Sequence, residues 1–206
     1  MTTTAPHPVL SALLRSRTAL AHEQAENAPF LLALAQGRAT RAGLVGLLQR
    51  LLPVYDALET TAERFRGHRD VAPLLVSGLE RAERLRADLD ALGAVAMTTS
   101  SASTAYAARV RAAAEDAPRY VGHHYTRYLG DLSGGQVVGR AVEQSLGLRL
   151  AFFSFDLRGP AVKRDYRAHL DALAWSPEES ERATDEAGVA FQLNTALAAE
   201  LEGQVA

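Results

Sequence analysis

The chain has 206 residues, a formal charge of −2 from 22 Lys and Arg against 24 Asp and Glu, a pI near 6.3, and no cysteine. That length buries a core without help from disulfides or structural metal, and the lack of cysteine excludes a disulfide scaffold, a thiolate nucleophile and any Cys-based metal site. Acidic and basic residues are interspersed, leaving no electrostatic footprint for nucleic acid, and iron or zinc chemistry would have to use His, carboxylates or a cofactor.

Ala, Leu, Arg and Glu dominate, and apolar positions recur every three or four residues instead of alternating, so the fold class is all-α. The start MTTTAPHPVLSALL has no basic segment leading into a continuous apolar one, and no window approaches about 18 uncharged apolar residues. A soluble cytoplasmic monomer without a membrane anchor is expected, built as a single domain over 1–206 with 1–7 and 204–206 flexible. Helices are predicted at 8–26, 40–66, 71–92, 102–115, 117–145, 161–174 and 177–203. Thr40 is placed to cap the second, and Pro53 should kink or break it near Leu52. TTSSAS (98–103) and SFDLRGP (154–160) read as loops. Ser176-Pro177-Glu178-Glu179 supplies an N-cap, a proline at the first helical position and a capping-box glutamate for the last helix.

The segment Tyr125 to Gln136, YTRYLGDLSGGQ, puts Gly130, Gly134 and Gly135 into an otherwise helical run, where each glycine costs roughly 0.5–1 kcal/mol relative to alanine. At 100° per residue Arg127, Gly130, Asp131 and Gly134 form one stripe, while Tyr125, Leu129, Leu132 and Tyr128 lie on the side that packs on the core. Glycines on the outer stripe would let a large flat group approach the backbone, and Asp131 with Arg127 could hold water or an oxygen ligand there. A dry helix contact through small residues is the ordinary alternative, but charges in the stripe argue against it.

YTRYLGDLSGGQ resembles the signature of the haem oxygenase family. The resemblance implies a haem sandwiched between a proximal helix and this kinked distal helix, with Gly130 and Gly134 as close-approach glycines and Asp131 as the catalytic carboxylate that organises distal water; Gly135 is assigned to the kink. Without cysteine the iron ligand is sought among His7, His22, His68, His123, His124 and His169. His123 shares the stripe with Arg127, four residues on; His7, His68 and His169 read as solvent-exposed. LLRSRTALAHEQAENAPF resembles the family's proximal helix and selects His22, with Glu26 one turn later to orient its imidazole. Arg15 lies seven residues before His22, about 10.5 Å along one helix face, a spacing that suits a cation meeting a haem propionate. Lys163 and Arg167 match the propionate pair, with Tyr125 and Arg15 as the other two contacts, and this pattern implies attack at the α-meso carbon. Tyr55 and Asn194 match residues that extend the distal water network of Thr126, Arg127 and Asp131, and Phe191 matches a ring against the haem.

The resemblance runs from Leu10 to Leu201, with little specific similarity between Arg66 and Ala105. It implies cleavage of haem b, both substrate and cofactor, to biliverdin, ferrous iron and CO, using O2 and electrons from a ferredoxin, a flavodoxin or a flavoprotein reductase. A haem-storage or haem-transfer protein of the same fold is the main alternative. A di-iron oxidase or a thiaminase-like enzyme is disfavoured, because the sequence has no E-x-x-H and no cysteine.

Overall fold

Helices dominate the described residues, 9–94 and 100–205 of the computed structural model, and no strand occurs among them beyond an isolated antiparallel bridge from Ala39 to Val205. The first helix, α1 (Leu10–Glu26), buries Leu10, Leu14, Thr18 and Ala25. A short α2 (Pro29–Ala35) follows that the sequence pattern did not anticipate: Pro29 at the first helical position has a fixed φ that starts a turn burying Phe30, Ala33 and Leu34.

Thr40 caps α3 (Arg41–Ala62), accepting from the Gly43 N–H at 3.0 Å. The helix continues through Pro53 instead of breaking at Leu52. Burial of Leu51, Val54, Tyr55 and Leu58 on both sides of the proline holds the two halves in one helix. The expected helix over 71–92 is a 3-10 turn at Ala72–Leu74 and an irregular stretch, with regular helix only in α4 (Ala82–Ala91). Pro73 and Gly78, the latter at φ +93°, account for the difference.

Ser100 caps α5 (Ser101–Ala112), so 101–103 of the expected loop are helical, while 98–99 lie outside the described residues. The predicted helix over 117–145 divides into α6 (Ala117–His124), two π-helical turns at Tyr125–Leu129 and Asp131–Gly135, and α7 (Gln136–Leu146), which stops at Gly147 with φ +68°. After a long connection come α8 (Gly159–Asp171) and α9 (Pro177–Ala199), the latter opened by the complete Ser176–Glu179 capping box. Gln204 and Val205, expected to be flexible, are tied to the body: the Thr40 N–H donates to the Gln204 carbonyl at 3.2 Å, next to the Ala39–Val205 bridge.

The hydrophobic face of α3 packs on α4, α5 and α9, and α9 lies against α1, α5 and α6. Helix α6 reaches α9 through Gly122, where a Cβ would fall 2.6 Å from the Ala183 carbonyl and 2.9 Å from the Ala187 nitrogen. Beside that contact a buried carboxylate joins three helices. Glu186 on α9 receives two hydrogen bonds from Arg109 of α5, at 2.6 and 2.7 Å, and its Oε1 lies 2.8 Å from His123 Nε2 on α6. Burial pushes the Glu186 carboxyl up, but His123 and Arg109 outweigh it and hold the group down at about 2.

Gly122→Ala should destabilise the fold by about 1–3 kcal/mol in chemical denaturation, because backbone atoms on both helices must separate; an unchanged midpoint would show that the contact is not tight. Since the Glu186 carboxyl lies below its unfolded value, its stabilisation is present above about pH 4.5 and fades as pH falls toward 2. Glu186→Gln should remove on the order of 3 kcal/mol at neutral pH and flatten the acid limb of a stability-against-pH curve.

Candidate functional site

The two π turns widen the helix to i→i+5 pairing and alter which residues share a face. Tyr128, Leu129 and Leu132 are buried as expected, and Tyr125 is half-buried. Gly130, Ser133 and Gly134 are exposed, and a Cβ built on Gly130 or Gly134 would meet no atom of the described residues within 4 Å. The outer side of the helix is therefore bare backbone at the two glycines, with the Ser133 side chain between them. At Gly135 a Cβ would touch only the Asp131 side chain, at 3.6 Å.

Arg127 and Asp131 do not lie on that open face, as the 100° wheel implied. They turn inward, with side chains 11% and 10% exposed, because the wheel's register fails across π turns. There they meet Tyr55 of α3. The Tyr55 hydroxyl donates to Asp131 Oδ2 and accepts from Arg127 Nε at 3.1 Å and Nη2 at 2.8 Å. Arg127 Nη1 donates to Asn194 Oδ1 of α9 at 2.6 Å, and Nη2 stands 3.4 Å from Asp131 Oδ1. Four of the residues expected in the distal network thus form one hydrogen-bonded set. Thr126 is not part of it: its hydroxyl donates to the Gly122 carbonyl at 2.9 Å, with the Ala187 carbonyl 3.4 Å away.

Burial pushes the Asp131 carboxyl up, and the opposing pulls of Arg127, the Tyr55 hydrogen bond and Arg81 do not cancel it. Burial also pulls the Arg127 guanidinium down, but Tyr55, Asp131 and Tyr106 more than compensate, so it stays charged. Tyr106 of α5 was not anticipated. Its fully buried hydroxyl has no hydrogen-bond partner among the described residues and feels the charges of Arg127, Asp131 and Glu186. In the sequence Tyr106 is one aromatic on the apolar side of a helix and carries no signal that separates it from core.

The remaining candidates gather on α1, α8 and α9. His22 is 52% exposed, with Nδ1 3.4 Å from Glu26 Oε2 and its ring edge-on to Phe191 of α9 at 5.4 Å. Arg15 and Arg167 are exposed and both bear electrostatically on the Tyr125 hydroxyl, whose proton affinity burial nonetheless raises. Lys163 donates to Ser133 Oγ at 3.1 Å, which sets α8 against the bare side of the distal helix. The other described histidines are engaged or remote. His123 faces Glu186 in the interior. His124 is buried with Nδ1 2.8 Å from the Tyr166 hydroxyl, and burial pulls it down to about 3, so it is neutral. His68 is half-buried, not exposed as expected, while His169 is exposed and His7 lies outside the described residues. A cleft of about 860 Å³ between α7 and the start of α8, floored by Leu150 and Phe153, contains none of the predicted site residues.

Residues 9–200 match the family model described as Heme oxygenase. Heme oxygenase 1 of Bos taurus is 35% identical over 94% of this chain and 72% of its own length, and heme oxygenase 1 of Synechocystis is 34% identical over 95% and 86%. Among solved structures, that of the Synechocystis heme oxygenase-1 in complex with heme superposes with a TM-score of 0.89 at 33% identity, covering 95% of this chain and 93% of that one. The Leptospira interrogans heme oxygenase gives 0.88 at 27% identity, covering 94% and 100%. A shared helical frame and sequence agreement across nearly the whole length establish that the chain belongs to the haem oxygenase family.

Proposed function

We propose that the protein, an enzyme of the haem oxygenase family, cleaves haem at the α-meso carbon to biliverdin, ferrous iron and CO, with O2 and electrons from an external donor such as a ferredoxin, a flavodoxin or a flavoprotein reductase. It would act as a cytoplasmic monomer; no helix among the described residues is long and apolar enough to cross a membrane. The observation that carries the proposal is the buried Tyr55–Asp131–Arg127–Asn194 set standing behind a helix face stripped of side chains at Gly130 and Gly134.

The residues fit a haem. The uncovered backbone at Gly130 and Gly134 would let a flat group approach, His22 has an exposed imidazole whose Nδ1 is turned toward Glu26, and Phe191 offers a ring beside it. Arg15, Tyr125, Lys163 and Arg167 would hold the two propionates, and that grip would decide which meso carbon faces the oxygen side. When bound, haem supplies the iron that activates O2 and the ring that is cleaved. His22 would ligate the iron through Nε2, with Glu26 orienting the imidazole.

Asp131 is the group suited to handle protons on the oxygen side. Burial raises its proton affinity, which brings it nearer to the range where a carboxyl both holds and releases a proton. Arg127 and Tyr55 keep the side chain in one orientation, and Asn194 anchors Arg127 from α9. Thr126, bonded to main-chain carbonyls, would fix the helix and not exchange protons with Asp131.

Haemin added to the protein should give a Soret complex that decays, with biliverdin absorption growing in, when ascorbate or a ferredoxin and its reductase is supplied in air. A complex that persists under those conditions identifies a storage or transfer protein instead. His22→Ala should abolish the native Soret spectrum, and an unaffected complex would refute the ligand assignment. Asp131→Ala should bind haem as tightly as the parent yet lose product formation by ~100-fold or more, the scale of general acid–base contributions; undiminished biliverdin would overturn its proton role.

A further inference from the structure

Arg81, immediately before α4, is fully buried, and no carboxylate pairs with its guanidinium among the described residues. Its hydrogen bonds go to carbonyls: Nε to Leu79 at 2.8 Å and Glu80 at 2.7 Å, Nη2 to Gly78 at 2.6 Å, and Nη1 to Ser154 at 2.7 Å and Phe152 at 3.3 Å. The guanidinium carbon also sits 4.0 Å from the centre of the Phe155 ring. A buried cation with no carboxylate in contact is expensive, and nothing in α4 itself requires one. Two turns further along the same helix, the buried Asp88 accepts from the Ala151 N–H at 2.8 Å and the Phe152 N–H at 2.7 Å. Both backbone polar groups of Phe152 are therefore held by charged side chains of one segment. The Phe152 ring in turn stands edge-on to Tyr55, centroids 5.5 Å apart and planes 75° apart.

We propose that Arg81 and Asp88 are positioning residues, which clamp the 151–154 turn so that Phe152 fixes the Tyr55 ring and, through the Tyr55 hydroxyl, the Asp131 carboxylate. The geometry of the clamp is independent of what the site turns over; its kinetic consequence rests on the haem oxygenase activity proposed above. Asp131 is faced by Arg127 and Tyr55 at hydrogen-bond range and by Arg81, Tyr106 and Tyr128 further out. Loosening Tyr55 and removing the Arg81 charge both take away influences that favour ionised Asp131. The carboxyl would then keep its proton to higher pH.

The test uses the full chain with Arg81→Met, Arg81→Lys and Phe152→Leu. In the haem-free protein the Tyr55 hydroxyl proton, assigned by its loss in Tyr55→Phe, should give a slowly exchanging NMR resonance that vanishes or exchanges rapidly in Arg81→Met and Phe152→Leu. With haem bound, Arg81→Met should form product roughly 10- to 100-fold more slowly, as when groups supporting a reactive residue are removed. Haem affinity should be unchanged, and the acid limb of the pH profile should move to higher pH. Arg81→Lys should recover part of both effects by keeping the charge. Folded Arg81→Met and Phe152→Leu with the parental hydroxyl resonance and pH profile would overturn the clamp. If Arg81→Met does not fold, Phe152→Leu decides alone, since it leaves every backbone bond to Arg81 and Asp88 in place. If the parent makes no biliverdin, the proposed activity fails while the NMR measurement still decides the clamp.

Discussion

A carboxylate kept in the interior, one layer behind an open helix face, is the constraint on which the arrangement depends. Asp131 loses its water on burial, and two groups compensate: Tyr55 of α3 donates to it, and Arg127, one turn earlier on its own helix, lies beside it. Arg127 is itself buried and needs acceptors, which Tyr55 and Asn194 of α9 provide. A buried network of this kind is stable only if every member is satisfied. It therefore fixes the mutual position of α3, α9 and the distal helix more strictly than apolar packing would.

The opposite side of the same helix is governed by absence. Gly130 and Gly134 leave the backbone uncovered, at a cost in helix propensity that the π turns share, since wide turns pack poorly without neighbours. The flanking elements carry the groups the helix lacks. Helix α1 brings Arg15 and His22, α8 brings Lys163 and Arg167, and α9 brings Phe191. Lys163 touches Ser133, so the cationic edge is attached to the glycine helix and does not float free of it.

Much of this was legible because the carrying residues are contiguous. YTRYLGDLSGGQ and AHEQAEN are short strings in which type and spacing coincide, and the capping box at Ser176 is likewise local. The register of the distal helix was not legible, because a π turn changes which residues share a face without changing composition. A 100° wheel placed Asp131 beside the glycines when it points to Tyr55. Pro53 was no better guide, since tertiary burial carried α3 through it, and the helix that Pro29 starts carried no periodic signal of its own. Tyr106, Arg81 and Asp88 carry no local signal because their meaning lies in groups distant in sequence, at Arg127, Phe152 and Ser154.

Two buried acidic groups, Asp131 and Glu186, lie within reach of the distal helix, and their contrast shows how geometry assigns chemistry. Glu186 accepts two hydrogen bonds from Arg109 and faces His123, and these contacts overcome burial and hold it near 2. A carboxylate that acid cannot easily protonate is a fastener, here between α5, α6 and α9. Asp131 has one hydroxyl donor and one arginine at the limit of contact, and burial prevails, so its proton affinity rises. Arginine stands at 2.6–2.7 Å from one carboxylate and 3.4 Å from the other, the outcomes are opposite, and His123, which faces Glu186, is thereby engaged in the scaffold. Asp131 has fewer charged donors, and its proton affinity is raised, as the proposed proton role requires.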